Sequence, residues 1–253
     1  MLDPVTILLA SAGILLMGFS KAGFGGGLGI LTTPLCVLAF ARLGKPPIFA
    51  LGFVLPLLVI ADAASLYHYW KKWEISNLRF LIPGVVGGVL IGVQLIDRFS
   101  ARQLNISIGV ISMAFVLFQL AKEKIFAAEG RFAPNHAIGV PCGVVAGVTS
   151  TFANGAGPVI SMFLIPQGLP KEIYVGTNAL IFCCINWIKL LIFIPKRIIT
   201  LETLRADLMY LPLIPIGVAL GVWLNRRVPE RWFMRLVYLF TFLTGLQLVF
   251  ANR

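Results

Sequence analysis

Acidic residues are scarce in this chain: 10 Asp and Glu stand against 21 Lys and Arg, and charges of both signs occupy only 12% of 253 positions. That is about half of what a soluble domain carries, which argues against a water-facing globule. Histidine (2) and cysteine (4) are sparser still. Cys36, Cys142, Cys183 and Cys184 all lie in apolar stretches, with no CxxC pair and no His at ligand spacing. They read as small packing residues, so neither a disulfide framework nor a zinc site is indicated. HExxH, GxSxG and paired acids within apolar segments are also missing, which removes the residues that membrane hydrolysis needs. The expectation is a non-enzyme with no cofactor.

Long apolar runs fill the chain instead. Hydrophobic residues make up 58% of it and the mean hydropathy is +0.93, values that imply several stretches of membrane-spanning length. A net charge of +11 would suggest nucleic acid in a soluble protein. Here the basic residues sit between apolar segments, in YWKKWE, AKEK, PKRI and NRRVPERW, and read as topology-fixing loop charges. The bilayer is the expected partner and nucleic acid is not. The first apolar segment follows MLDP, with no basic stretch before it and no small-residue cleavage site after it, so it reads as a retained span.

Apolar segments fall at 4–19 and 28–42 around a Gly-rich break, then at 46–70, 78–97 and 103–121. After a polar linker over 122–135 come 137–150 and 157–169 around a second break, then 172–195, 204–224 and 232–251. The two series correspond element for element. At an offset of 128, Phe24, Gly27 and Gly29 fall on Phe152, Gly155 and Gly157; at 129, Pro83, Gly88 and Gly92 fall on Pro212, Gly217 and Gly221; at 124, Gly52 and Asp62 fall on Gly176 and Asn186. This predicts two repeats, 1–121 and 136–253, joined by the linker. Residues 4–42 as one helix would be about 58 Å long, too much for a single pass through a core of about 30 Å, so the broken element contributes an even number of crossings. Three further spans make the count per half odd, which predicts an inverted arrangement of secondary-transporter type, with a site near the midplane at the broken helices. The expected fold is all-α, polytopic, with about 8–10 membrane segments.

Broken backbone is tolerated in a membrane only where protein encloses it or a wet cavity meets it. The breaks at Gly23–Gly29 and Asn154–Gly157 therefore mark a cavity whose free N–H groups and helix dipoles suit an oxyanion. The candidate substrate-binding set is Ser20, Lys21, Gly25, Gly26 and Gly27 from the first break, with Thr149, Ser150, Asn154, Gly155 and Gly157 from the second. Lys21 reads either as an anion-facing charge or as a lysine snorkelling from a shallow loop. Asp62 is a candidate for proton coupling, or a simple partner for Lys21 or Lys189. Lys189, nearer a span end, reads more readily as a snorkeller. Thr33, Ser161, Thr177 and Asn178 are possible donors, although helical hydroxyls commonly bond their own backbone.

At Gly23 to Pro34, GFGGGLGILTTP, and again at Thr151 to Pro158, TFANGAGP, the sequence resembles the sulfite exporter TauE/SafE family. The second copy departs from the triple glycine at Ala153 and Asn154. The resemblance implies a transporter, an exporter of small sulfur-containing anions such as sulfite or organosulfonates, multi-pass in the inner membrane. A carrier or channel for another organic anion remains the alternative, and the oligomeric state is not legible.

Overall fold

The computed structural model describes residues 3–21, 28–126, 133–225 and 230–250. Every regular element among the described residues is helical. In chain order these are α1 (Pro4–Lys21), a 3₁₀ turn (Leu28–Leu31), α2 (Thr32–Ala41), α3 (Pro47–His68), α4 (Ser76–Arg98), α5 (Ala101–Phe126), α6 (His136–Ala153) and α7 (Gly157–Leu164). A 3₁₀ turn (Ile165–Gln167) follows, then α8 (Lys171–Phe193), α9 (Leu201–Tyr210), α10 (Leu213–Asn225) and α11 (Glu230–Phe250). Six helices are long and apolar enough to cross a membrane, or seven if α9 and α10 form one bent span; the stretches Gly29–Ala41, Gly157–Gln167 and Met234–Phe250 are shorter apolar helices. The expected 8–10 membrane segments are thus six or seven full-length spans plus shorter arms. Large apolar side chains such as Leu90, Leu117, Leu120, Leu191 and Trp223 lie exposed around the bundle, as a lipid-facing surface requires.

The ends of the elements have local causes. The Asn135 side chain caps α6 by accepting from Ile138 N–H at 3.1 Å, and α6 stops where Asn154 turns left-handed at φ 53°. Asn enters that conformation at less cost than other side-chain-bearing residues. Thr200 and Thr203 form a reciprocal cap that starts α9. The 204–224 segment, expected as one span, is instead bent by 45° between α9 and α10. Two prolines within one turn, Pro212 and Pro215, withdraw the N–H groups that the Leu208 and Leu211 carbonyls would use. A tightened bond from Ile214 N–H to the Leu211 carbonyl (3.2 Å) takes over. Helix α4 carries a single interior proline, Pro83, and continues through it.

The first broken element returns to the side it enters from. Arg42, just after α2, pairs with Asp3, just before α1, at 2.7 Å, and the Thr6 hydroxyl donates to the Ala39 carbonyl at 3.1 Å. This end also holds the start of α3, where Lys45 pairs with Glu202 ahead of the bend (2.6 Å). At the opposite end, Lys72 after α3 pairs with Glu172 at the start of α8 at 3.0 Å.

Glycines set how closely the helices approach. On α4, Gly84 and Gly88 lie against the Val140 and Val144 carbonyls of α6, while Gly143 and Gly147 of α6 lie against the Leu81 and Val85 carbonyls of α4. Gly18 of α1 and Gly217 of α10 make a similar reciprocal contact through the Ile214 and Leu15 carbonyls. At each of these positions a Cβ would fall inside contact distance of backbone. Gly84→Ala is therefore expected to destabilise the protein by about 1–3 kcal/mol through overpacking. Gly87→Ala, with nothing within 4 Å, is expected to be neutral or to gain up to about 1 kcal/mol of helix propensity. Thermal midpoints of the two purified variants check this; equal midpoints would remove close packing as the cause.

Candidate functional site

The end of α1 and the end of α6 bring Ser20, Lys21, Ser150 and Asn154 to one cavity of about 70 Å³. Helix α3 adds Leu58 and Ser65, the first 3₁₀ turn adds Gly29, and α8 supplies Tyr174, Asn178, Phe182 and Asn186. That is room for several waters or one small anion.

Behind this cavity Asp62 is fully buried on α3. One oxygen is ion-paired with the Lys21 ammonium, and the other accepts from Asn186 Nδ2 at 2.7 Å. The Lys21 side chain is 17% exposed and its ammonium stands 5.5 Å from the centre of the Phe182 ring. Lys21 therefore neither snorkels nor stands as a free positive charge. A second ammonium lies alongside. Lys189 is 1% exposed and donates to the Ser150 carbonyl (3.1 Å), the Ser150 hydroxyl (3.2 Å) and Asn154 Oδ1. Its partners are all neutral. The snorkelling expectation for Lys189 is thus corrected: the side chain turns inward because α6 ends beside it with three acceptors. Asn154 in turn donates to the Thr33 hydroxyl of α2 at 2.9 Å, tying the second break to the first half.

Two lysines and one carboxylate thus lie close together, and among the described residues the Lys189 amine meets neutral acceptors only. Asn178 adds a buried amide whose Oδ1 has no hydrogen-bond partner among the described residues.

Other predicted residues are placed differently. The Thr149 hydroxyl donates to the Val145 carbonyl at 2.8 Å, and Thr149 does not line the cavity. The Asn154 N–H bonds the Ser150 carbonyl and the Gly155 N–H bonds the Thr149 carbonyl (3.0 and 3.2 Å), so neither is free for an anion. Gly155 packs beneath Ile30 and Ile111, and Gly157 begins α7; neither lines the cavity. Gly25, Gly26 and Gly27 lie outside the described residues. Ser65 and Tyr174 line the cavity without having been singled out in the sequence. For Ser65 a signal existed: the 124-residue offset that pairs Asp62 with Asn186 also pairs Ser65 with Lys189.

A helical bundle with membrane-length apolar spans and a polar, lysine-bearing cavity where two helices break belongs to the class of multi-pass membrane transporters. Within that class the chain is a member of the sulfite exporter TauE/SafE family, whose model matches residues 10–248. The family is one of membrane transporters for sulfite and related anions. No curated protein and no solved structure matches the chain.

Removing one member of a buried ion pair leaves the other charge uncompensated, typically at a cost of 3–5 kcal/mol. Lys21→Ala is expected to lose about that much stability because it orphans Asp62, whereas Lys21→Ala combined with Asp62→Ala should recover most of it. Denaturation of the three proteins in one detergent checks this; a single variant as stable as wild type would show that the pair contributes nothing.

Proposed function

We propose that the protein is a secondary carrier that exports a small sulfur-containing anion, sulfite or an organosulfonate, across the inner membrane, binding it in the cavity between the two broken helices. The observation that carries this reading is a second lysine amine beside that cavity which, among the described residues, has no carboxylate in ion-pair contact. Lys189 holds an ammonium against neutral acceptors only, and the hydroxyls of Ser20, Ser65 and Ser150 and the amides of Asn154 and Asn178 surround the space beside it. An oxyanion that displaces one of these neutral acceptors holds the proton on Lys189 and gains a charge-assisted hydrogen bond that a neutral solute does not.

The two segments 1–121 and 136–253 act, on this reading, as inverted halves that rock about the cavity. Paired contacts support it: Gly52 lies against the Ile198 carbonyl as Gly176 lies against that of Lys72, and α1 meets α10 as α6 meets α4. The first element starts at the end marked by Asp3 and Arg42, while α8, the counterpart of α3, starts at the opposite end beside Lys72. Asp62 is the proposed coupling carboxylate, taking a proton whenever Lys21 leaves it for the substrate.

In proteoliposomes, wild-type protein should show saturable sulfite flux and counterflow, which distinguishes a carrier from a channel. Lys189→Gln retains a hydrogen-bond donor but removes the ionisable amine and should weaken sulfite binding by about 1.5–3 kcal/mol, or roughly 10- to 150-fold. Unchanged affinity in a folded preparation would remove Lys189 from the site. Asp62→Asn should abolish accumulation driven by a pH gradient while leaving exchange; gradient-driven accumulation at the wild-type level would exclude Asp62 from coupling.

A further inference from the structure

A second membrane-embedded carboxyl lies away from the cavity. Asp207 is the seventh residue of α9, is 6% exposed, and has no hydrogen-bond partner for either oxygen among the described residues. One turn on, the Tyr210 hydroxyl is also unpartnered. The surrounding charges do not reach Asp207. Arg205 shares with it a hollow of about 240 Å³ beside α9 but points into the open and forms no ion pair with it, and Glu202 on the same helix is taken by Lys45. From α3 come only apolar groups, Phe53 against the Tyr210 ring and Pro56, Leu57 and Ile60 along the hollow. Helix α2 brings Cys36, a buried thiol within electrostatic reach.

An ionised carboxylate in these surroundings would have lost its water and gained no opposite charge, which the protein has no evident means to offset. A metal cation does not fit the place. Hard cations require a shell of several oxygens, and only Asp207 and Tyr210 offer any here; among the described residues no group of three His, Cys, Asp or Glu is gathered anywhere. A proton requires no such shell and removes the charge outright.

We propose that Asp207 is a proton-binding site, separate from Asp62, at which a neutral carboxylic acid is held within the membrane beside the α9–α10 bend. The last hydrogen bond of α9, from Leu211 N–H to the Asp207 carbonyl (2.8 Å), places the residue directly ahead of the element that Pro212 and Pro215 have freed from regular helix. Any change in that bend alters the surroundings of the carboxyl. The first half offers a control. Asn77, 130 residues earlier and close to the repeat offset, is likewise fully buried near the start of α4, with neither polar atom partnered among the described residues. The architecture therefore accepts a neutral amide in a comparable place, and Asp207→Asn should preserve the fold while abolishing proton binding.

The proposal rests in no step on the substrate reading, and its test needs no transport. Infrared spectra of the lipid-reconstituted protein at pH 7 should show a protonated-carboxyl C=O band in wild type that is missing from Asp207→Asn and retained in Asp62→Asn. A hydrophobic carbodiimide, which reacts with protonated carboxyls, should label Asp207 at pH 7 and less as the pH rises, with the adduct located by peptide mass spectrometry. Identical carboxyl bands in wild type and Asp207→Asn at pH 7 would overturn the proposal. If the variant does not purify folded, wild-type labelling decides: an adduct on Asp207 supports the site, and carbodiimide adducts on other residues only overturn it.

Discussion

A charge placed where water cannot follow must be answered by the protein, and in this bundle two lysines and a carboxylate are answered by one another and by the ends of broken helices. A lone lysine near the membrane centre costs about 2.5–3.5 kcal/mol on insertion scales. Lys21 meets it with Asp62, Asp62 meets its second oxygen with Asn186, and Lys189 finds the Ser150 carbonyl and hydroxyl together with Asn154. The break after α6 is what makes the last of these possible. A helix that ran on past Ala153 would have turned Asn154 elsewhere and taken its side-chain oxygen from Lys189. Instead the left-handed Asn154 offers its oxygen to Lys189 and its NH₂ to Thr33. Helices α1, α2, α3, α6 and α8 are thereby joined through polar side chains around one cavity.

That arrangement requires the surrounding helices to be close, and apolar burial cannot supply the closeness, because lipid is as apolar as the core. Backbone-to-backbone approach at glycine supplies it. The α4–α6 seam, with glycines on both helices facing carbonyls on the other, fixes where Ser150 and Asn154 end up; the α1–α10 seam does the same for Ser20 and Lys21. Gly109 of α5 and Gly245 of α11 face one another's carbonyls in the same manner at the periphery. Dispersion across such seams acts only at short range, so one methyl in the wrong place is felt along the whole helix.

Much of this was legible because membrane segments obey a length rule. The span read as 46–70 is Pro47–His68, and that read as 172–195 is Lys171–Phe193. The α9–α10 bend was not legible from apolarity, which is continuous across it; the signal lay in two prolines three residues apart. At the site, residue type predicted membership better than role. Ser20, Lys21, Ser150 and Asn154 do line the cavity, yet Lys21 is neutralised and the backbone donors at Asn154 and Gly155 are used internally. A sequence shows that a helix breaks but not which carbonyl folds back over the freed N–H. Thr149 illustrates the same limit from the side-chain direction, since its hydroxyl returns to the Val145 carbonyl of its own helix.

On the sequence offsets that align the two segments Lys21 and Lys189 do not correspond, and for the proposed carrier this asymmetry has mechanical consequences. Lys21 sits on a broken helix at a position that the second half fills with Thr149, whereas Lys189 sits on a long helix where the first half has Ser65. Lys21 lines the cavity, while Lys189 stands behind two of its lining residues, Ser150 and Asn154; of the two, only Lys21 has an acidic partner among the described residues. Movement of α1 relative to α3 must separate the Lys21 ammonium from a fully buried Asp62, and in a low-dielectric interior that separation is strongly opposed. Movement of α6 relative to α8 separates Lys189 from neutral acceptors only, which water or an anion replaces more easily. The α6–α8 side is therefore the softer one, and the α1–α3 side opens only when something substitutes for the lost partner: an anion at Lys21, a proton on Asp62, or both. In the proposed carrier, coupling of substrate to proton would rest on where these charged groups stand.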